Sequence, residues 1–173
     1  MNVSSRINAA ARTEAILQQG YHLARQNGVE SPIAQDAVWA LLVEMVDTLR
    51  RMPDRERKWL VNSLRSHHPE TLSSQAEEFA NAVATGAWRE IKLTMGAPSP
   101  EAITRLDEVL TWPSLVKGKR RQRDVAVLLG TAAGIPPRVF RAQYGCSNST
   151  IHDIRKRCLI QIALAIGLRP SRS

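Results

Sequence analysis

Apolar residues recur along the chain at intervals of three and four, the spacing that gathers them on one side of an α-helix. Over residues 4–26, Ile7, Ala10, Ala11, Ile16, Leu17, Tyr21 and Leu23 give a loose apolar face. Asn27-Gly28 then supplies the left-handed residue that commonly follows a helix end. A second helix is predicted after Ser31-Pro32, with serine as cap and proline at the first helical position. It carries Val38, Leu41, Leu42, Met45, Val46 and Leu49. A third opens at Pro53 or Asp54, places Trp59, Leu60 and Leu64 together, and breaks at His67-His68-Pro69, because the residue before proline is driven out of the helical region. Residues 72–84 follow with Leu72, Ala76, Phe79 and Val83 in register, and Thr85-Gly86 ends or bends this helix before 87–93. Sustained alternation does not occur in the sequence, and its Asn-Gly pair, Asn27-Gly28, ends a helix and joins no two strand-like runs as a hairpin would. An all-α protein is expected.

Gly96, Pro98 and Pro100 crowd into "MGAPSP", and Ser99-Pro100-Glu101 restarts a helix by the same serine–proline device. The charge balance changes at the same place. Residues 1–96 hold 11 Lys+Arg and 11 Asp+Glu, whereas residues 97–173 hold 13 and 5. A division near residue 97 is therefore expected: a neutral helical bundle over 1–96 for self-association or partner contact, and a basic unit over 97–173. Concentrated positive charge attracts a polyanion and releases its counterions on binding.

Within the basic unit, a helix from Arg120 to about residue 132 carries Val125, Leu128 and Leu129, and Gly134 stops it. Pro136-Pro137 start a short helix over 137–144, whose inward side is Val139, Phe140 and Tyr144. Gly145-Cys146 turn the chain, and Ser147 is placed to accept from the backbone N–H of Ser149 or Thr150 and so cap the next helix. Short helix, glycine turn, capped helix is the layout of a helix-turn-helix. At 100° per residue, Ile151, Ile154, Cys158, Ile162 and Ala165 share the inward stripe. Ser149, His152, Asp153, Lys156 and, at the edge, Arg157 face the other way. Short polar groups near the N-terminus with cations further along suit a helix whose first turns meet base edges and whose later residues meet phosphates. Arg120, Arg121, Arg123, Arg138, Arg141, Lys156 and Arg157 are the phosphate-contacting candidates. The coincidence of these features points to double-stranded DNA as partner.

"YGCSNSTIHDIRKRCLIQIA" resembles the final domain of bacterial primary sigma factors, the helix-turn-helix that reads the upstream promoter element. "PSPEAITRLDEVLTW" followed by "YGCSNSTIHDIRKRCL" is similar to a family of short helix-turn-helix proteins from alphaproteobacteria and their phages, in which Asp47-Thr48-Leu49-Arg50-Arg51-Met52-Pro53 also has a counterpart. The resemblance spans roughly residues 38–53 and 98–166. It implies a sigma-like helix-turn-helix and a regulator of phage or mobile-element transcription. It further implies base contacts from Ser149, His152 and Asp153, with Asn148 beside them. Sigma factors carry longer charged side chains at the matching positions, so their promoter preference is not carried over. Ser149 can pair with several bases, His152 can donate to guanine or touch phosphate, and Asp153 can accept from a cytosine amino group or orient Arg157.

Phosphate-binding glycine loops, nucleophile elbows and carboxylates paired in a plausible cleft are not found, so neither an enzyme nor a cofactor is expected. His67 and His68 have no ligand-spaced neighbours and are assigned to a solvated loop. Cys158 reads as a core residue and Cys146 as a turn residue. If the segment 143–163 were helical throughout, the two would stand twelve residues and roughly 18 Å apart along its axis and could not bridge within it. Trp39, Trp59, Trp88 and Trp112, one per helix, read as core anchors. No apolar run approaches the ~18 residues of a membrane span. The N-terminal "MNVSSRINAAARTEA" lacks a signal peptide's apolar stretch, which leads to an expected cytoplasmic location. Two further readings fit the same organisation: a small terminase-like DNA-packaging subunit, and a sigma-like module that contacts RNA polymerase. A homodimer accords with a regulator of this kind.

Overall fold

The computed structural model describes residues 3–52 and 97–167, the side chains from residue 11 onward, and these residues are helical with no strand among them. The helices expected over 53–96, with Trp59, Trp88, His67 and His68, lie outside the described residues.

Helix α1, Val3–Gln26, packs along α2, Ala34–Arg51. Ile16, Leu17, Gly20 and Ala24 are buried and Tyr21 and Leu23 half-buried, which matches most of the expected stripe; Ala11 is exposed. Gly20 lets the two helices approach. A Cβ there would stand 2.6 Å from Leu41 Cδ1 and 2.8 Å from the Ala37 carbonyl oxygen. The start of α2 differs from expectation. Ser31-Pro32 lies upstream of the helix, and Ile33 is the N-cap residue. Its backbone N–H donates to Asp36 Oδ2 at 3.0 Å, so an aspartate in the first turn serves the helix end that the serine does not.

Ala34, Ala37, Val38, Ala40, Leu41, Leu42, Met45, Val46, Thr48 and Leu49 are all buried, more than one face of a helix can hold. A helix apolar around most of its circumference is a central one. Accordingly α2 packs against α1, α3 (Pro100–Val109), α4 (Arg121–Ala132) and α6 (Asn148–Ala165). The start of α3 is the expected one: Ser99 Oγ accepts from Ala102 N–H at 3.2 Å, with Pro100 next in the chain. Ala102, Leu106 and Val109 are the buried side of α3. Arg105 joins three helices, forking onto Glu44 at 2.7 and 2.5 Å and reaching Gln19 at 2.8 Å. A 3-10 turn, Trp112–Leu115, buries Trp112 and Pro113 before α4. From α2, the Arg50 guanidinium donates to the Ala133 carbonyl just past the end of α4.

The expected division near residue 97 is not a break in the core among the described residues. Leu41, Leu42, Val46 and Leu49 from the first part belong to one cluster with Leu106, Trp112, Leu128, Ile154 and Ile162 from the second. Among the described residues, no helix is long and apolar enough to cross a membrane.

Candidate nucleic-acid interface

The site is the outward face of α6 together with the short helix and turn that set its direction. Helix α5, Pro137–Tyr144, opens on a proline, whose fixed φ and missing N–H suit the first helical position. It closes at Gly145, where φ is 64°, a conformation that costs glycine little and other residues more. Phe140 is buried, while Val139 and Tyr144 are half-buried. Behind Phe140, Gly130 of α4 comes so close that a Cβ would meet the ring at 2.7 Å. Ser147 caps α6, its Oγ accepting from Thr150 N–H at 3.1 Å. Cys146, expected only as a turn residue, is buried. It precedes the cap and Ile151, also buried, follows four residues after it, the two positions of a hydrophobic staple.

Ile151, Ile154, Cys158 and Ile162 are buried as the 100° wheel requires, but Ala165 is exposed and Leu159 and Ala163 are buried instead. The 3-10 turn packs against α6, and Lys117 N–H just beyond it donates to Gln161 Oε1 at 3.0 Å. This extra cover widens the buried sector toward the C-terminal end.

Asn148, Ser149, His152, Asp153, Lys156 and Arg157 are all exposed. Their surroundings differ on the two flanks of the helix. On the α2 flank, Arg155 lies over the Trp39 ring, 5.0 Å from its centroid, and its Nη2 is 3.3 Å from His152 Nδ1. On the α4 flank, Arg157 Nη2 donates to Asp124 Oδ2 at 2.6 Å. Arg123 donates to the other oxygen of the same carboxylate from Nη2 at 2.9 Å and Nε at 3.1 Å. The Asp124 side chain is only 7 % exposed, whereas that of Arg157 is 51 % exposed. A carboxylate so enclosed requires such donors, since an unpaired buried charge is costly. Beneath them the Cys158 thiol is pushed up to about 11, by burial first and then by the Asp124 charge.

The chain matches no known protein family, no curated protein and no solved structure.

The seven phosphate candidates do not form one set. Arg120, Arg138 and Lys156 are exposed, and their side chains have no partner among the described residues. Arg141 is exposed and its Nη2 lies 3.4 Å from Asn148 Oδ1. Arg121 is half-buried and donates to the Ser114 carbonyl at 3.0 Å, a structural contact. Arg123 and Arg157 share Asp124. Lys117 and Lys119, exposed just ahead of α4, extend the basic rim. Because the Lys117 backbone is tied to Gln161 and Asp124 to Arg157, this rim runs beside the Arg157 edge of α6.

Sequence reasoning missed Asp124 and Arg155. Asp124 had a signal, as the lone acid in a run of bases. Arg155 had only its place at the margin of the apolar stripe, where a long stem covers core while its head stays at the surface.

Proposed function

We propose that the chain is a sequence-specific double-stranded DNA-binding protein that regulates transcription, with α5 and α6 as its helix-turn-helix and α6 in the major groove. The observation that carries this is the outward stripe of α6. Asn148, Ser149, His152 and Asp153 stand exposed in its first two turns, and Lys156 follows one turn on. Short donors and acceptors at the leading end match base edges, and cations behind and beside them match phosphates. Beside that stripe, the exposed Lys117, Lys119 and Arg120 supply the further cations that a flanking phosphate backbone would need on this reading. Regulation of phage or mobile-element genes follows from the resemblance of the same segment to short phage-associated helix-turn-helix proteins.

Selection of the full chain on a randomised duplex pool, followed by titration against salt, tests the reading. A defined motif should emerge. Each neutralised phosphate contact should lower the salt slope by about 0.9, so Lys156→Gln with Arg157→Gln should flatten it and weaken all sequences alike. No enrichment, or an unchanged slope in the double variant, overturns it.

A further inference from the structure

Residues 117–167 contain ten Lys and Arg but only two acidic residues, Asp124 and Asp153. Both bear on Arg157, and the structure separates their roles. Asp153 precedes Arg157 by four positions, the spacing at which an aspartate and an arginine on one helix ordinarily pair. Arg157 instead turns to Asp124 on α4, at 2.6 Å. Asp153 is left exposed, with no ion pair among the described residues, in the outward stripe between Ser149 and Lys156.

Resting on the DNA-binding reading above, we propose that Asp153 is the residue that selects a base, accepting from the exocyclic amino group of a cytosine. Asp124 fixes Arg157 as a phosphate contact, so Asp153 is not consumed in that task. The choice of base follows from what a carboxylate meets in the major groove. Guanine presents N7 and O6 and thymine presents O4, acceptors that repel it. Adenine offers its N6 donor with the N7 acceptor alongside. Cytosine offers the N4 donor with no acceptor of its own next to it. Phosphates repel a carboxylate as well, so its place in a contact face is paid back only at a donor edge. Arg157 meanwhile keeps N–H groups beyond the one bound to Asp124, on a side chain that is half exposed.

The test uses the full chain and the randomised duplex pool, comparing wild type with Asp153→Ala, Asp153→Asn, Asp124→Asn and Arg157→Ala. Wild type should show a position fixed as cytosine. Asp153→Ala should lose that preference by roughly ten- to a hundred-fold while its salt slope is kept. Asp153→Asn should move the same position toward adenine, whose N6 and N7 an amide can match. Asp124→Asn and Arg157→Ala should keep the cytosine and lower affinity for all sites, with a shallower salt slope. If Asp124→Asn fails to fold, Arg157→Ala carries that arm, because Arg123 still pairs the Asp124 carboxylate from two N–H groups. An unchanged motif in Asp153→Ala, or loss of the cytosine in Arg157→Ala, overturns the assignment while leaving DNA binding intact. A wild type that enriches no sequence overturns both.

Discussion

Gly130 and Cys158 show how single atoms decide the packing beneath the α6 face. With Gly130 against the Phe140 ring, an added methyl at 2.7 Å has to displace an aromatic side chain that itself seats α5. Gly130→Ala is predicted to cost about 1–3 kcal/mol, the range of an overpacked core, read from denaturant unfolding. Cys158 gives a pH dependence of definite sign. Its folded thiol is raised from the ordinary 9.0 to about 11, so it stabilises the folded state below pH 9 and that contribution is lost as the pH climbs toward 11. Wild type should therefore lose more stability than Cys158→Ala over that interval. Of these two residues, the sequence made Cys158 legible through its place in the apolar stripe. Gly130 was not, because its neighbour lies across a turn and only the finished packing brings ring and backbone together.

Helix ends were legible where the capping group is adjacent in sequence. Ser99 and Ser147 each cap the helix assigned to them, through Ala102 N–H and Thr150 N–H. Ser31 carried the same signal and caps nothing, because Asp36 satisfies the Ile33 N–H from inside the helix. Both start patterns fit the segment, and local sequence does not rank them. Asp36→Ala is accordingly predicted to destabilise the fold by about 0.5–2 kcal/mol and Ser31→Ala to have little effect, compared by thermal unfolding. Ser147→Ala should cost about 1 kcal/mol and, on the proposed DNA-binding reading, also reduce DNA affinity, since that cap fixes where the leading turn of α6 begins. The inward stripe of α6 was readable over its first three turns. Further on it failed: Ala165 is exposed, and Leu159 and Ala163 are buried in a sector wider than a helical wheel of the isolated helix contains.

At the scale of the molecule, the change in charge near residue 97 is real, but it describes surface and not core. Net charge counts groups that stay in water, whereas the cohesion of the described parts comes from α2, whose apolar circumference serves both. Val38, Leu41, Leu42, Met45, Val46 and Leu49 are all nearly inaccessible. Each such side chain contributes about 1.5–3 kcal/mol on burial, comparable in sum to a whole domain's net stability. Residues 97–173 expressed alone are therefore predicted not to unfold cooperatively, as measured by circular dichroism against temperature. A sharp transition matching that of the full chain would show the second part to be self-sufficient.

The stacking of Arg155 on Trp39 gives the α6 face a built-in optical reporter. Indole emission responds to a neighbouring cation, and this guanidinium also touches His152 on the outward side. If the proposed duplex seats there, the protein's intrinsic fluorescence should change without any dye attached, and Trp39→Phe should silence the signal while the other indoles still glow.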